Sequence, residues 1–249
     1  MLKTLHARLR QGYRTGTFPR TEPNLPDRFL GRPVIAPDAT AEDAAAAAAA
    51  CPVGAVLVRD GRPAIDTGRC IFCGRCAEAC PRIAFSKQHR LAAFTREALV
   101  VLPGPPAPPA GESDPGFRKL CGRSFKIRQV SAGGCAACEL DFNVLGTLAW
   151  DLGRFGIQVV ASPRHADAVL VTGPVTDNML LALRKTHAAM PRPSWVVACG
   201  ACAISGGVYS ESPAAAGGLE AVLKPDLYIP GCPPHPSTIL EGLLRMMKG

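Results

Sequence analysis

The run "CIFCGRCAEACP" places Cys70, Cys73, Cys76 and Cys80 in the spacing C-x2-C-x2-C-x3-C-P. Thiolates two residues apart on a tight turn can reach three corners of one iron-sulfur cube. Where two such cubes lie side by side, the fourth cysteine of each run ligates the other cube. A zinc site is the competing reading, but zinc sites more often pair two C-x2-C knuckles than draw three thiolates from one run.

A second stretch answers to the first. In "PDATAEDAAAAAAACP" seven alanines, Ala44 to Ala50, end at Cys51-Pro52. Counting back from Cys51 by 4, 7 and 10 residues, where a complete motif would carry cysteine, gives Ala47, Ala44 and Ala41. Under the crossed rule, Cys51 serves the surviving cube. One 4Fe-4S cluster is then expected on Cys51, Cys70, Cys73 and Cys76, with Cys80 left over. The alternative is that the alanines are simply good helix formers and that Cys80 closes the cluster.

The remaining cysteines are scattered. Short apolar runs at Phe125 to Val130, Gly156 to Ala161, Asp167 to Thr172, Trp195 to Ala198 and Asp226 to Ile229 read as buried strands. "NMLLALRKTHAAM" and "PSTILEGLLRMMKG" read as helices between or after them. Such alternation implies a doubly wound parallel sheet of flavodoxin-like α/β type, whose ligands sit beyond the carboxyl ends of the strands. Cys135 and Cys138 follow the first of these strands, Cys199 and Cys202 the fourth, and Cys232 the fifth. Separate loops at one sheet edge can therefore bring thiolates together. Buried structural cysteines are the other reading of this scattered set.

Several bounds frame these sites. The chain has 249 residues, 47% of them hydrophobic and 19% charged, which suits a packed core rather than disorder. Eleven cysteines in a long chain without a secretory signal point to metal ligation rather than disulfides. The net charge is +8, yet 6% aromatic content and the lack of a dense Lys/Arg run argue against nucleic acid. No apolar run reaches the roughly 18 to 20 residues of a membrane span. A cytoplasmic location is expected. Neither G-x-G-x-x-G nor G-x-x-x-x-G-K-[ST] occurs, so no nucleotide site is expected. The segment "PGPPAPPAGESDPG" reads as a semi-rigid spacer. The expected division is an N-terminal extension (1–33), a small α+β ferredoxin-like domain (34–102), a Pro-rich linker (103–117) and the α/β domain (118–249). Leu2, Leu5 and Leu9 form a helical stripe with a basic opposite face, expected to dock on its own chain.

Resemblance sharpens the reading. "GYRTGTFPRTEPNLPDRFLGRP", "GRCIFCGRCAEACPRIAF" and "LAAFTREALV" resemble the ferredoxin-like subunit of formate hydrogenlyase and of the complex I peripheral arm. That family normally has both cluster motifs complete; this sequence departs from it at Ala41, Ala44 and Ala47. "GRSFKIRQVSAGGCAACELD", "DLGRFGIQVVASPRHADAVLVTGPVTDNM", "WVVACGACAISGGVY" and "YIPGCPPHPSTILEGLL" resemble the small subunit of membrane-bound group 4 [NiFe] hydrogenases. They are also similar to the B (20 kDa) subunit of NADH:quinone oxidoreductase.

The resemblance implies a second, proximal 4Fe-4S cluster on Cys135, Cys138, Cys202 and Cys232, leaving Cys80, Cys121 and Cys199 spare. The spaced Cys135/Cys138 pair is the hydrogenase form. The resemblance further implies a proton-linked role for Asp141, though the family usually has glutamate there, and capping or salt bridging is the plain alternative. It places Arg154 and Arg164 near the cluster, with structural ion pairing as the alternative. His165 and His235 are expected to hydrogen-bond rather than ligate. The implied function is an electron-transfer subunit that exchanges electrons with a catalytic large subunit of hydrogenase or complex I D-subunit type. An electron donor or acceptor subunit would meet the ferredoxin-like domain, and membrane-arm subunits would be indirect partners. The whole would be peripheral on the cytoplasmic face of the inner membrane. Alternatives are a complex I-like assembly without nickel and a non-redox or zinc-binding assembly scaffold.

Overall fold

The computed structural model describes residues 2–105, 108–109 and 111–248. Three residues of the proline-rich stretch, at 106, 107 and 110, lie outside the described residues, and the linker expectation falls partly on them.

The N-terminal half begins with helix α1 (Leu2–Gln11), which buries no residue. The expected docking of its leucine stripe on its own chain does not occur: Leu2, Leu5 and Leu9 are all exposed. Strand β1 (Pro33–Ile35) pairs antiparallel with β4 (Ile83–Phe85). Between them in sequence lie helix α2 (Ala41–Ala50), the hairpin of β2 (Val56–Arg59) and β3 (Arg62–Asp66), and helix α3 (Arg75–Ala79). β5 (Val100–Val101) completes a three-stranded antiparallel sheet with β3. The alanine tract is helix α2. Thr40 caps it, its Oγ1 accepting from the Asp43 N–H at 3.3 Å while the Asp43 carboxylate accepts from the Thr40 N–H at 2.8 Å. A reciprocal cap of this kind stabilises a helix start by about 1 kcal/mol. The helix ends at Cys51.

The C-terminal half is one five-stranded parallel sheet of β6 (Phe125–Ser131), β7 (Ile157–Val159), β8 (Ala168–Thr172), β9 (Trp195–Cys199) and β10 (Leu227–Ile229). Its spatial order is β10-β9-β8-β6-β7. Numbered within the sheet this is 5-4-3-1-2, the flavodoxin-like order, whose reversal point lies between the first and third strands. Helices α4 (Pro115–Cys121), α5 (Ala137–Val144), α6 (Asp177–Ala188), α7 (Ala201–Ser205) and α8 (Pro236–Lys248) surround it. α4 starts inside the proline-rich stretch and buries Phe117 against Phe125 and Trp195. α8 buries Ile239, Leu240, Leu243, Leu244, Met246 and Met247. Each such side chain contributes about 1.5–3 kcal/mol when fully buried.

The halves pack into each other. Ala93 exchanges both backbone hydrogen bonds with Tyr228, at 2.9 and 2.8 Å, so the N-terminal half covers the β10 edge of the sheet. Phe18 and Ala92 lie in the core cluster of the C-terminal half. Ala93 and Leu99 join Ile204, Leu219 and Tyr228 in another. Among the described residues no helix is long and apolar enough to cross a membrane.

Candidate iron-sulfur centres

The Cys70–Cys76 loop is held from beneath by Asp66, the last residue of β3. The Asp66 carbonyl accepts from the Cys70 N–H at 3.0 Å, and its Oδ1 accepts from the Gly68 N–H at 2.9 Å. Arg96 grips the same carboxylate with two N–H groups, at 2.8 and 2.5 Å. Phe72, within the first C-x2-C turn, has φ +53, a left-handed conformation that costs a non-glycine residue free energy and turns the loop back on itself.

Cys51, Cys70, Cys73 and Cys76 line one small cavity, walled by Val53, Ala55, Val56, Ile65, Ile71 and Phe85. Cys80 does not line it. Its Sγ donates to Asp43 Oδ1 at 3.5 Å, and it packs with Ala47 and Ile83 in the core between α2 and α3. Backbone N–H groups of Ala55 and Phe72 donate to the sulfurs of Cys51 and Cys70 at 3.2 and 3.3 Å. Burial pushes the Cys70 and Cys76 thiols up to about 12 and 11, with the neighbouring thiols adding to the shift.

The second set assembles from three loops at the carboxyl edge of the parallel sheet. Cys135 and Cys138 follow β6, Cys202 sits in α7 after β9, and Cys232 follows β10. The turn between Cys135 and Cys138 again carries a left-handed non-glycine residue, Ala136 at φ +68. Glycine lets the backbone approach the sulfurs closely. A Cβ on Gly200 would lie 2.6 Å from Cys138 Sγ, and one on Gly207 would lie 2.9 Å from Cys202 Sγ. Burial raises Cys138 most, and negative charge on Cys202, Cys232, Glu139 and Cys135 raises it further. Burial, then Cys232 and Cys135, lifts Cys202 to about 11. Burial and Cys135 raise Cys232.

Four thiols around one pocket at the first site, and four that shift one another's titration at the second, are donor sets of the kind an iron-sulfur group takes. Among the described residues no three His, Cys, Asp or Glu side chains gather closely enough to hold one metal ion.

Cys199 and Cys121 are buried in the hydrophobic core. The acidic pair after Cys138 divides its tasks. Glu139 Oε1 accepts from Thr172 Oγ1 at 2.6 Å at the end of β8. Asp141 is half-buried, its carboxyl raised by burial, and lines a cavity with Cys232, His235 and Arg28. Arg154 donates to the carbonyls of Gly16 and Phe18 at 2.8 and 2.6 Å and so anchors the N-terminal extension. Arg164 and His165 lie on an exposed turn. Two positioning residues that sequence reasoning missed are Asp66, hidden as an ordinary strand-end aspartate, and Ser205. The Ser205 Oγ donates to the Gly68 carbonyl at 3.0 Å, tying the helix of Cys202 to the loop of Cys70.

Known proteins share this arrangement of sequence. The family described as NADH ubiquinone oxidoreductase, 20 Kd subunit, matches residues 135–246, and the 4Fe-4S binding domain matches residues 63–82. A probable membrane-bound hydrogenase subunit of Pyrococcus furiosus is 40% identical over 138 residues, covering 53% of this chain and 83% of that protein. The B-type subunit of NADH-quinone oxidoreductase from Citrifermentans bemidjiense is 45% identical over 113 residues, covering 45% of this chain and 66% of that protein. Among solved structures, a chain of the membrane-bound sulfane sulfur reductase, an archaeal respiratory membrane complex, is 34% identical with a TM-score of 0.47. The match covers 54% of this chain and 75% of that one.

Proposed function

The chain belongs to the family of the NADH ubiquinone oxidoreductase 20 kDa subunit, and from that premise we propose that it carries electrons between two 4Fe-4S clusters inside a larger oxidoreductase complex. Cys51, Cys70, Cys73 and Cys76 hold one cluster; Cys135, Cys138, Cys202 and Cys232 hold the other. A 4Fe-4S cluster, when bound, accepts and releases one electron at a time at a potential set by its surroundings. The chain's own residues do the rest. The N–H groups of Ala55 and Phe72 stabilise negative charge on the Cys51 and Cys70 sulfurs. Asp66, Arg96 and Ser205 fix the first loop against the second site. Apolar side chains wall the first cavity.

The observation that carries this reading is the grouping of eight cysteines into two fours, with Cys80, Cys121 and Cys199 each placed outside them. The partner is a catalytic large subunit, which binds over the second site. Cys135 and Cys232 are exposed there. Leu140 and Val144, four residues apart on α5, and Leu148 beyond its end are exposed apolar side chains. A donor or acceptor subunit meets the N-terminal half, and membrane-arm subunits are reached through the large subunit, on the cytoplasmic face of the membrane.

The C-x2-C form at Cys135 favours a hydrogenase large subunit. A nickel-free, complex I-like assembly is the second reading, favoured by the 45% identity to the NADH-quinone oxidoreductase relative. Anaerobic purification with iron, sulfide, zinc and nickel analysis tests both. About eight irons per chain, four for each cube, is expected; nickel in the co-purifying large subunit selects hydrogenase. Zinc without sulfide overturns electron transfer and supports a scaffold.

A further inference from the structure

Helix α1 buries no residue, and every residue from Leu2 to Arg14 is exposed. A helix this short is marginal in water without packing, so α1 needs a surface to lie on. The order of its side chains says what kind. At about 3.6 residues per turn, Leu2, Leu5 and Leu9 share one narrow stripe. Arg8 borders that stripe on one side, and His6 and Arg10 border it on the other. Leucines flanked on both sides by basic groups suit a helix lying in the surface of a bilayer. Its apolar face enters the acyl boundary while its cations reach back to the headgroups. At about 1.5 Å per residue, its 10 residues cover half of the roughly 30 Å hydrocarbon core, so α1 lies on a membrane and does not cross it.

The charge around α1 has one sign. Positions 1–20 carry Lys3, Arg8, Arg10, Arg14 and Arg20 and no Asp or Glu, against a net charge of +8 for the whole chain. Among the described residues none of these five is in an ion pair. An acidic groove on a protein would also attract these cations, but it gives no reason for cations on both borders of an apolar stripe. Gly12 ends the helix at φ +64, its N–H donating to the Arg8 carbonyl at 3.0 Å. Arg8 stacks on the exposed Tyr13 ring at 3.7 Å, and amphipathic rings of this kind are enriched at membrane–water interfaces.

The chain then returns to the folded body at once. The Gly16 N–H donates to the Ala149 carbonyl at 2.7 Å, Arg154 holds the Gly16 and Phe18 carbonyls, and Phe18 is buried in the core. Residues 12–15 alone separate helix from root, at most ~14 Å of extended chain. A surface that holds α1 therefore holds the whole protein close to it. A groove at the root, lined by Tyr13, Thr15, Thr17 and Arg20, offers hydroxyls and a guanidinium to a phosphate.

We propose that α1 is a membrane-surface anchor, lying in the headgroup layer of an anionic bilayer with Leu2, Leu5 and Leu9 in the acyl boundary and Lys3, Arg8, Arg10 and Arg14 on lipid phosphates. This goes beyond the electron-transfer reading, in which the large subunit links the chain to the membrane, and it needs no bound cluster. α1 lies outside residues 63–82 and 135–246, so neither family match implies the anchor.

The test is co-sedimentation of the anaerobically purified full chain with vesicles of equal parts phosphatidylglycerol and phosphatidylcholine, and with vesicles of phosphatidylcholine alone. Binding to the anionic vesicles is expected, weakening as salt rises, with little binding to the neutral ones. Each basic side chain near such a surface is worth about fivefold in affinity, so Arg8→Gln with Arg10→Gln weakens binding about 25-fold. Leu5→Asp with Leu9→Asp abolishes it. Because α1 buries nothing, both double variants keep the unfolding midpoint and iron content of the parent chain. Three results overturn the inference: no binding to anionic vesicles, equal binding to both vesicle types, or parent-like binding by the leucine variant. A leucine variant that binds vesicles normally but no longer co-purifies with the large subunit assigns α1 to a protein partner and overturns it too. Vesicle binding by a chain that carries no iron supports the anchor while defeating the cluster assignment, so the two readings fail separately.

Discussion

The two thiol sites are built by opposite strategies. The first draws Cys70, Cys73 and Cys76 from seven consecutive residues and takes one remote member, Cys51, from the end of α2. The second draws Cys135 and Cys138, Cys202 and Cys232 from three loops spread over 98 residues of chain, positions 135 to 232, and relies on parallel strands to aim them at one edge. The first site is thus a property of a local turn, the second a property of the sheet. Both turns nevertheless use the same device, a left-handed non-glycine residue inside the C-x2-C, at Phe72 and Ala136.

The largest expected effect separates the sites outright. Cys202→Ser empties the second site and leaves the first, and Cys51→Ser does the reverse, each halving the iron content to about four per chain. Equal loss at both sites in either variant would show that they do not assemble independently. Cys80→Ser should leave iron content unchanged, because that thiol bonds Asp43 outside the cavity.

A smaller effect probes the local turn. Asp66→Ala removes the carboxylate that holds both Gly68 N–H and Arg96, leaving a largely buried guanidinium unpaired. A loss of about 3 kcal/mol in unfolding free energy is expected, along with faster iron release from the first site than from the second. Denaturant unfolding and chelator kinetics measure the two.

The mildest effect is common to both sites. Cys70, Cys76 and Cys202 are held at about 12, 11 and 11, above an unfolded value near 8.5. Raised thiols bind protons more tightly folded than unfolded. The apoprotein should therefore keep its full stability below about pH 8 and lose it as pH rises through the folded values. Metal loading must release these protons, so apoprotein reconstitution strengthens from about pH 6 to pH 9. Chemical denaturation and metal titration across pH check both signs.

The contrast also explains what could be read in advance. The five strands of the parallel sheet fall within two residues of the apolar runs, because buried parallel strands are nearly continuous in hydrophobicity. The spacing of Cys51 from Ala47, Ala44 and Ala41 set Cys51 apart as a ligand candidate, and α2 buries Ala44 and Ala47 and ends at Cys51. The joining of the halves was not legible. A proline-rich stretch suggests separation, yet Phe18 and Ala92 enter the core of the sheet half and Ala93 pairs with Tyr228. Contacts between residues more than a hundred positions apart leave no periodic trace. The anchoring role of Arg154 was hidden for a similar reason: its charge was visible, but the carbonyls of Gly16 and Phe18 that it serves carry no side-chain signal.

The central claim is that two separate cubes sit on two particular sets of four sulfurs. Iron-edge anomalous scattering from anaerobically grown crystals tests it directly. The account predicts two resolved iron peaks, one in the cavity of Cys51, Cys70, Cys73 and Cys76 and one among Cys135, Cys138, Cys202 and Cys232. A single peak, or a first peak bonded to Cys80 in place of Cys51, would contradict it.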